Sequence, residues 1–346
     1  MSLEAPFLLR PCAEGDLPAL ERFAAASPVG ITTLPYDRAY LTDRLQRSLH
    51  AFASDDASGE EIYLFALEDR ASGQVIGISG IAARAGFADR FYSFRNEFVV
   101  HSSRPLGVSN RIHTLHLCHD LTDVSLFISY HIDRAYAGTL APQLLSRARL
   151  LFIAQHAERF ADRIAAESAG MADDSGRCPF WDAVGRRFFG MDYPTIERLT
   201  GGRSKSFIAD LMPPSPIYVP LLPEEAQFAI GQLHPIAELP FSILLDEGFD
   251  ADTYLDIFDG GPTAVERLPM LKSVASSRRL RAAITGDGGS RNGWLMAVNA
   301  KRQDFRALAV RGSIQGEVLL LDRDSAAALA VEAGDPVRAA ALAWPA

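Results

Sequence analysis

The sequence predicts an α+β fold: a mixed sheet flanked by helices, followed by a smaller, β-rich, barrel-like unit. Three observations carry this reading. The first two thirds of the 346-residue chain alternate short apolar runs with stretches whose apolar residues recur at helical spacing. After about Pro240 the texture changes to short β-like runs separated by Gly, Asp and Ser. Hydrophobic residues make up 48% of the chain, as in folded proteins, and its length exceeds what one small core organises. The chain is therefore divided into residues 1–239 and residues 240–346.

The elements follow in order. PFLLRPCAEGDLPALERFAAAS reads as a short strand, a turn and an amphipathic helix with Leu17, Leu20 and Phe23 on one stripe. After VGITTLP, the stretch YLTDRLQRSLHAF is helical, with Leu41, Leu45 and Leu49 aligned. EIYLFALED and QVIGISGIAAR are two strands joined by a turn at Ala71, Ser72 and Gly73. FYSFRNEFVVHSSRPLGVSN reads as irregular, and IHTLHLC follows it. DVSLFISYHI is a strand, and Pro142 opens a long helix, PQLLSRARLLFIAQHAERF, because proline suits a first helical turn. RIAAESAG is another strand. FWDAVGRRFFG is a helix ending at Gly190, with Trp181, Val184 and Phe188 on its buried side and Phe189 also assigned to the core. GWLMAVNA, FRALAVRG, GEVLLLD and PVRAAALAW supply the later strands, with one short helix at SAAALAVEA.

Composition excludes several function classes. The formal charge of −9 argues against a nucleic-acid partner, since phosphate recognition needs a basic face. Cys12, Cys118 and Cys178 are far apart, with no CxxC or Cys/His spacing, so neither a zinc site nor a disulfide framework is expected. MSLEAPFLLRP is too interrupted for a signal peptide, and no apolar run approaches a membrane span. A reduced, cytoplasmic setting without a membrane partner is the expectation.

Several segments could carry chemistry. FISYHIDRAYAGTLAPQLL is either an ordinary strand-loop-helix or an anion site. In the second case Ala137, Gly138, Thr139, Leu140 and Ala141 form the loop, with Arg134 beside it, because a helix N-terminus favours anions. Tyr130 and His131 point to opposite sides if their strand is regular. His234 has the proton affinity for acid-base work but is a lone histidine before a proline. His113, His116 and His119 suit a metal only if they lie on a helix, and their run also alternates like a strand. Glu167 ends a strand, where it could hold a cation or face solvent. DIFDGGPT reads as a turn rather than a calcium loop. LTGGRSKSF, with Arg203 and Lys205, lacks the phosphate-loop arrangement. Thr32 and Thr33 could bind a ligand or cap the following helix.

The order of elements is similar to that of the GNAT acyltransferases. The strings CPFWDAVGRRFFGMDYPTIERL, KSFIADLMPPSPIYVPLLPEEAQFAIGQLHP, EGF and DIFDGGPT, between Cys178 and Thr263, resemble the bacterial arginine N-succinyltransferase family. That resemblance spans most of the chain. It implies transfer of a succinyl group from succinyl-CoA to the α-amine of L-arginine, at the head of a route from arginine to glutamate and succinate. It also implies succinyl-CoA as co-substrate with no permanently bound cofactor, and a homo- or hetero-oligomer. Tyr130 aligns with the family's acyl-CoA contact, and His234, within Gly231-Gln232-Leu233-His234-Pro235, with its proton donor. VGITTLP, with Thr32 and Thr33, also recurs in the family and by position falls near the acceptor, and Glu167 is a carboxylate that could bind the cationic substrate. Two departures stand out: Leu140 and Pro142 occupy the loop's usual glycine positions, and Ser168-Ala169-Gly170 replaces Met-Arg-Gly. Arg95, Arg134, Arg186 and Glu167 are available for the charged ends of the substrates. Two other readings are a non-catalytic partner subunit or acyl-CoA-binding module of the same fold, and an N-acyltransferase with another amine acceptor.

Overall fold

The structure is a computed structural model that describes residues 5–27, 34–87, 89–200, 210–286 and 293–342. Its frame is one open sheet. In chain order the strands are β1 (Phe7–Pro11), β2 (Ile62–Asp69), β3 (Gln74–Ala82), β4 (Ser93–Ser103), β5 (Val108–Cys118), β6 (Ser125–Ile132), β7 (Arg163–Glu167), β8 (Ile217–Tyr218), β9 (Asp250–Leu255), β10 (Pro262–Arg267), β11 (Arg278–Ile284), β12 (Trp294–Asn299), β13 (Ala307–Arg311), β14 (Ser313–Gln315), β15 (Val318–Leu321) and β16 (Pro336–Leu342). Their order across the sheet is β14-β15-β11-β16-β12-β13-β1-β2-β3-β6-β7-β10-β9-β4-β5-β8. Pairing is antiparallel except at β6/β7 and β11/β15. The helices that matter for the site are α1 (Leu17–Ala26), α2 (Arg38–Ala53), α3 (Ala141–Gln155), α4 (Pro179–Ala183), α5 (Gly185–Phe189) and α6 (Tyr193–Thr200).

The two faces of the sheet follow from the alternation along β2. Tyr63, Phe65 and Leu67 point to one side and pack with α3, while Leu64 and Ala66 point to the other and meet α1 and α2. On the first side Phe52, Tyr63, Phe65, Phe152, Phe160 and Phe305 form an edge-to-face aromatic cluster. Gly77 lets α3 approach: a Cβ there would lie 2.9 Å from Leu145 Cδ2 and 3.0 Å from the His131 carbonyl. The stripes read from the sequence hold, with Leu20, Phe23, Leu41 and Leu45 buried.

Three expectations need correction. The C-terminal strands do not close on themselves as a barrel. β13 pairs with β1, and the ladder continues to a free end at β14. Leu280, Leu308, Leu319 and Leu329 give this part its own core. The stretch read as irregular is a long hairpin, β4 and β5, in register from Ser93↔Cys118 to Ser103↔Val108. Its mixed polar sequence hid the pattern because the outer half of the hairpin is solvated on both faces. Phe188 is 47% exposed rather than buried. The helix breaks at Val184, where the Trp181 ring lies against Gly185, so the second half no longer follows the stripe set by Trp181. β9 and β10 follow residue 240 in the chain, yet they hydrogen-bond to β4 and β7 of the first half. No helix among the described residues is long and apolar enough to cross a membrane.

His131 shows how burial sets charge. Its ring sits against Phe23 and the Ser27 hydroxyl under α1, on the side of β6 away from Tyr130. Burial pulls its pKa down to about 4. The unfolded chain has an ordinary value near 6.5, so it binds more protons than the folded chain between pH 6.5 and 4, and stability falls on acidification through that window. The cost is about 1–2 kcal/mol at pH 5. His131→Asn should therefore lose less stability between pH 7 and pH 5 than the parent, measured by urea unfolding at both values. An identical loss in the two proteins would contradict this.

Candidate functional site

The site begins where two strands part. β6 and β7 are paired in parallel only at Ser125↔Ile164, Leu126↔Ala165 and Phe127↔Ala166. Beyond that point each strand follows its outer neighbour. β7 stays with β10 through Glu167↔Thr263, extended by the Ser168 N–H donating to the Pro262 carbonyl. β6 stays with β3 through Ile132↔Gly77. On β6 two residues, Ser129 and Tyr130, stand opposite Ser79 alone, and Ser129 takes the left-handed conformation at φ 54°. This bulge turns the end of β6 away from β7. The opening is a cavity of about 140 Å³ walled by Phe127–Tyr130, Ala166–Ala169, Ser146 and Arg149 of α3, and Ile236, Ala237 and Pro240.

Tyr130 faces this cavity and its hydroxyl donates to the Pro142 carbonyl at 3.3 Å. Burial pushes its phenol well up, so it stays protonated. The following loop leads to the start of α3. The Thr139 hydroxyl donates to the Tyr136 carbonyl at 2.7 Å and accepts the Ala141 N–H at 3.2 Å. Pro142 has no N–H to give. Leu140 and Ala141 bury their side chains in the core, whereas Arg134, Ala137 and Gly138 are exposed. No protein atom lies within 4 Å of where a Cβ on Gly138 would sit. The loop can thus meet an anion with the Arg134 side chain and with the backbone around Gly138.

The opposite wall is built by the Asp-Gly-Gly-Pro turn. Gly260 has φ +68°, its N–H donates to the Asp256 carbonyl, and the Asp256 N–H donates to the Gly261 carbonyl. The buried Asp259 carboxylate accepts the Gly170 N–H at 2.7 Å and the Gly261 N–H at 2.8 Å, with the Tyr193 hydroxyl at 3.4 Å. A Cβ on Gly261 would lie 2.3 Å from the Ser168 carbonyl, so only glycine lets the two chains touch here. Phe180 of α4 packs on Gly260 from behind, which explains why the PFW motif accompanies the turn.

His234 hangs from this wall. The Gly231 N–H donates to the Gly260 carbonyl, Leu233 bridges Gly170, and the His234 N–H donates to the Ala169 carbonyl at 2.9 Å. Its Nδ1 accepts the Ile236 N–H at 3.3 Å. The neutral ring therefore carries its proton on Nε2. The residues on either side of this loop's contacts, Ala169 and Ile236, both line the cavity.

Of the residues singled out in the sequence, Tyr130, Glu167 and the backbone neighbours of His234 meet at one cavity, with Arg134 and Gly138 at the far end of the loop. His113 and His116 lie on strand β5 and so on opposite faces, with His113 bonded to Asn96. His131 is turned away from the cavity, against Phe23 and Ser27. Thr32, Thr33, Arg203 and Lys205 lie outside the described residues. Arg95 pairs with Glu97 and Asp120, and Arg186 with Asp182, away from the cavity walls. Sequence reasoning missed Arg149, Asp259 and the Ser129 bulge. The signal for Arg149 was an arginine inside the apolar run LLSRARLLF; nothing local marks the bulge.

The chain matches known proteins over nearly its whole length. The model of a family described as the arginine N-succinyltransferase beta subunit covers residues 7–273, and that of the same subunit's C-terminal domain covers residues 278–341. The chain is 46% identical to arginine N-succinyltransferase subunit alpha of Pseudomonas aeruginosa, over 97% of this chain and 99% of that one. It is 38% identical to subunit beta of the same organism, over 97% and 98%. The solved structure of arginine/ornithine succinyltransferase subunit AI from Pseudomonas aeruginosa superimposes with a TM-score of 0.88 at 44% identity, covering 98% of this chain and all of that one.

Asp259 offers a direct test of how the wall is held. Asp259→Asn leaves one of the two glycine N–H groups facing an amide NH₂ instead of an acceptor. The expected loss is about 2–3 kcal/mol of unfolding free energy, measured in urea. A loss below about 0.5 kcal/mol would show that the carboxylate does not pin the turn.

Proposed function

We propose that this chain, which belongs to the arginine N-succinyltransferase family, is an acyl-CoA-dependent N-acyltransferase that moves the succinyl group of succinyl-CoA to the α-amine of L-arginine. The observation that supports this most strongly is the cleft between β6 and β7, with the His234 loop tied to its β7 wall. An extended thioester arm fits along β6 beside Tyr130. Its phosphates belong at the start of α3, where the helix end favours anions, with Arg134 and the backbone of Ala137, Gly138, Thr139, Leu140 and Ala141 around them. Because Thr139 and Pro142 take two donors away from that cradle, Arg134 and Gly138 carry more of the contact.

The chemistry follows from the walls. The neutral α-amine attacks the thioester carbonyl carbon and a C–N bond forms. A backbone N–H in the Ile128–Tyr130 segment faces the developing oxyanion, as preorganised donors do. Collapse breaks the C–S bond and the amine's surplus proton passes to solvent; the His234 ring, protonated from solvent on Nδ1 as its bond to the Ile236 N–H is released, gives its Nε2 proton to the departing thiolate and ends neutral. Holding both reactants in one cleft supplies much of the acceleration. Glu167, on the β7 wall, is the carboxylate placed to attract the cationic acceptor, with Thr32 and Thr33 assigned to the acceptor side. We read the chain as an acyltransferase unit of GNAT layout and a β-rich C-terminal unit, divided near residue 240. It works in the cytoplasm and assembles with itself or with a second subunit, as the alpha and beta names of its relatives suggest.

Thiol release from succinyl-CoA, followed over a panel containing arginine, ornithine and lysine, tests the reading. Release is expected with arginine, and His234→Ala should lower kcat by about 100-fold or more. Full turnover by that variant would remove His234 from the reaction. CoA binding without release for any amine would favour the non-catalytic subunit instead. Gly138→Val should raise the KM for succinyl-CoA several-fold and leave Tm unchanged, since the added side chain meets no protein atom; an unchanged KM would place the phosphates elsewhere.

A further inference from the structure

One charged group in the cleft has no part in the chemistry above. Arg149 is 2% exposed, on the face of α3 that looks into the cavity. Its guanidinium lies 3.8 Å from the centre of the Phe127 ring and 5.8 Å from that of Tyr130. Its hydrogen bonds go to neutral acceptors: Nε to the Ser146 carbonyl at 3.1 Å, Nη1 to the Gly80 carbonyl at 3.3 Å and Nη2 to Ser146 Oγ at 3.3 Å. A guanidinium has five N–H groups, so two are left for another partner. Its neighbour Arg147 is paired with Asp246 and Glu247, whereas Arg149 forms no ion pair among the described residues. Burying a cation without a counter-ion is expensive, and a bound anion would offset that cost.

Position selects the anion. α3 runs back along β6: Tyr130 reaches Pro142 at its start, and Arg149 sits over Phe127, where the β6/β7 ladder ends. Eight residues of helix separate Arg149 from Ala141, about 12 Å. Phosphates at the start of α3 would therefore lie at one end of the arm, and Arg149 toward its acyl end. Among the described residues lining this cavity, Arg149 is the one cationic side chain.

We propose that Arg149 receives the free carboxylate of the acyl group and so sets the preference for a dicarboxylic acyl donor over a neutral one. This rests on the acyltransferase reading. Burial draws the guanidinium down to about 9, so it stays charged at neutral pH. Its two remaining N–H groups are the donors offered to the acyl carboxylate.

The test compares succinyl-CoA with butyryl-CoA, which has the same four-carbon length and no carboxylate. In the parent protein, succinyl-CoA should bind at least 10-fold more tightly than butyryl-CoA; equal affinities overturn the proposal without any variant. Arg149→Met should lower kcat/KM for succinyl-CoA by about 100-fold while that for butyryl-CoA holds or rises, and Arg149→Lys should recover part of the loss. An equal fall for both donors means that Arg149 only supports the fold, and overturns the proposal. If the parent binds succinyl-CoA preferentially but acylates no amine, the functional reading fails while the carboxylate site stands.

Discussion

The structure turns on a parallel pairing that stops after three residue pairs. β6 and β7 share Ser125–Phe127 and Ile164–Ala166, and then each is claimed by an antiparallel neighbour. A strand can follow only one partner on each side. The left-handed Ser129 and the bulge it makes turn β6 toward β3, while the Pro262 carbonyl draws the chain after β7 toward β10. The cleft is the space between these two diverging ladders. Tyr130 and the loop to α3 lie on the first lip, and Glu167 and the His234 loop on the second.

The second lip needs its own support because the segment from Ser168 to Gly170 is not a strand. Asp259 provides it by accepting two glycine N–H groups at once, and the aromatic residues around Phe180 and Trp181 hold the turn that carries it. The loop that carries His234 is tied to this same segment by backbone bonds. The charges divide in the same way. Among the described residues, the cation in the cleft comes from α3 beneath β6, and the acids come from the end of β7 and the turn. A donor that ends in a carboxylate and an acceptor that carries a guanidinium would be sorted to opposite walls.

Much of this was legible in the chain. Apolar stripes placed α1, α2 and α3, because each faces a continuous core. Alternation placed β2, β3 and β6, and Asp-Gly-Gly-Pro announced its turn. The β4/β5 hairpin was not legible, since a ribbon with much of its length in solvent has no buried face to impose alternation. Phe188 was misplaced because periodicity assumes a continuous helix, and Trp181 packing on Gly185 interrupts it. The open sheet in place of a barrel depends on β1 pairing with β13, a contact between residues 300 apart that no local pattern encodes. For the site, His234 and Tyr130 are proposed through resemblance. Arg149 was visible only as a charge in an apolar helix, and its meaning required knowing which face of α3 meets the cleft.

The central claim is that the parted end of β6 and the loop after it take up the acyl-CoA. Backbone hydrogen exchange, with and without saturating CoA, tests this most directly. The account predicts slowed exchange in residues 128–132 and 137–144, with little change in the C-terminal strands. Protection confined to the C-terminal strands, or none in residues 128–132, would contradict it.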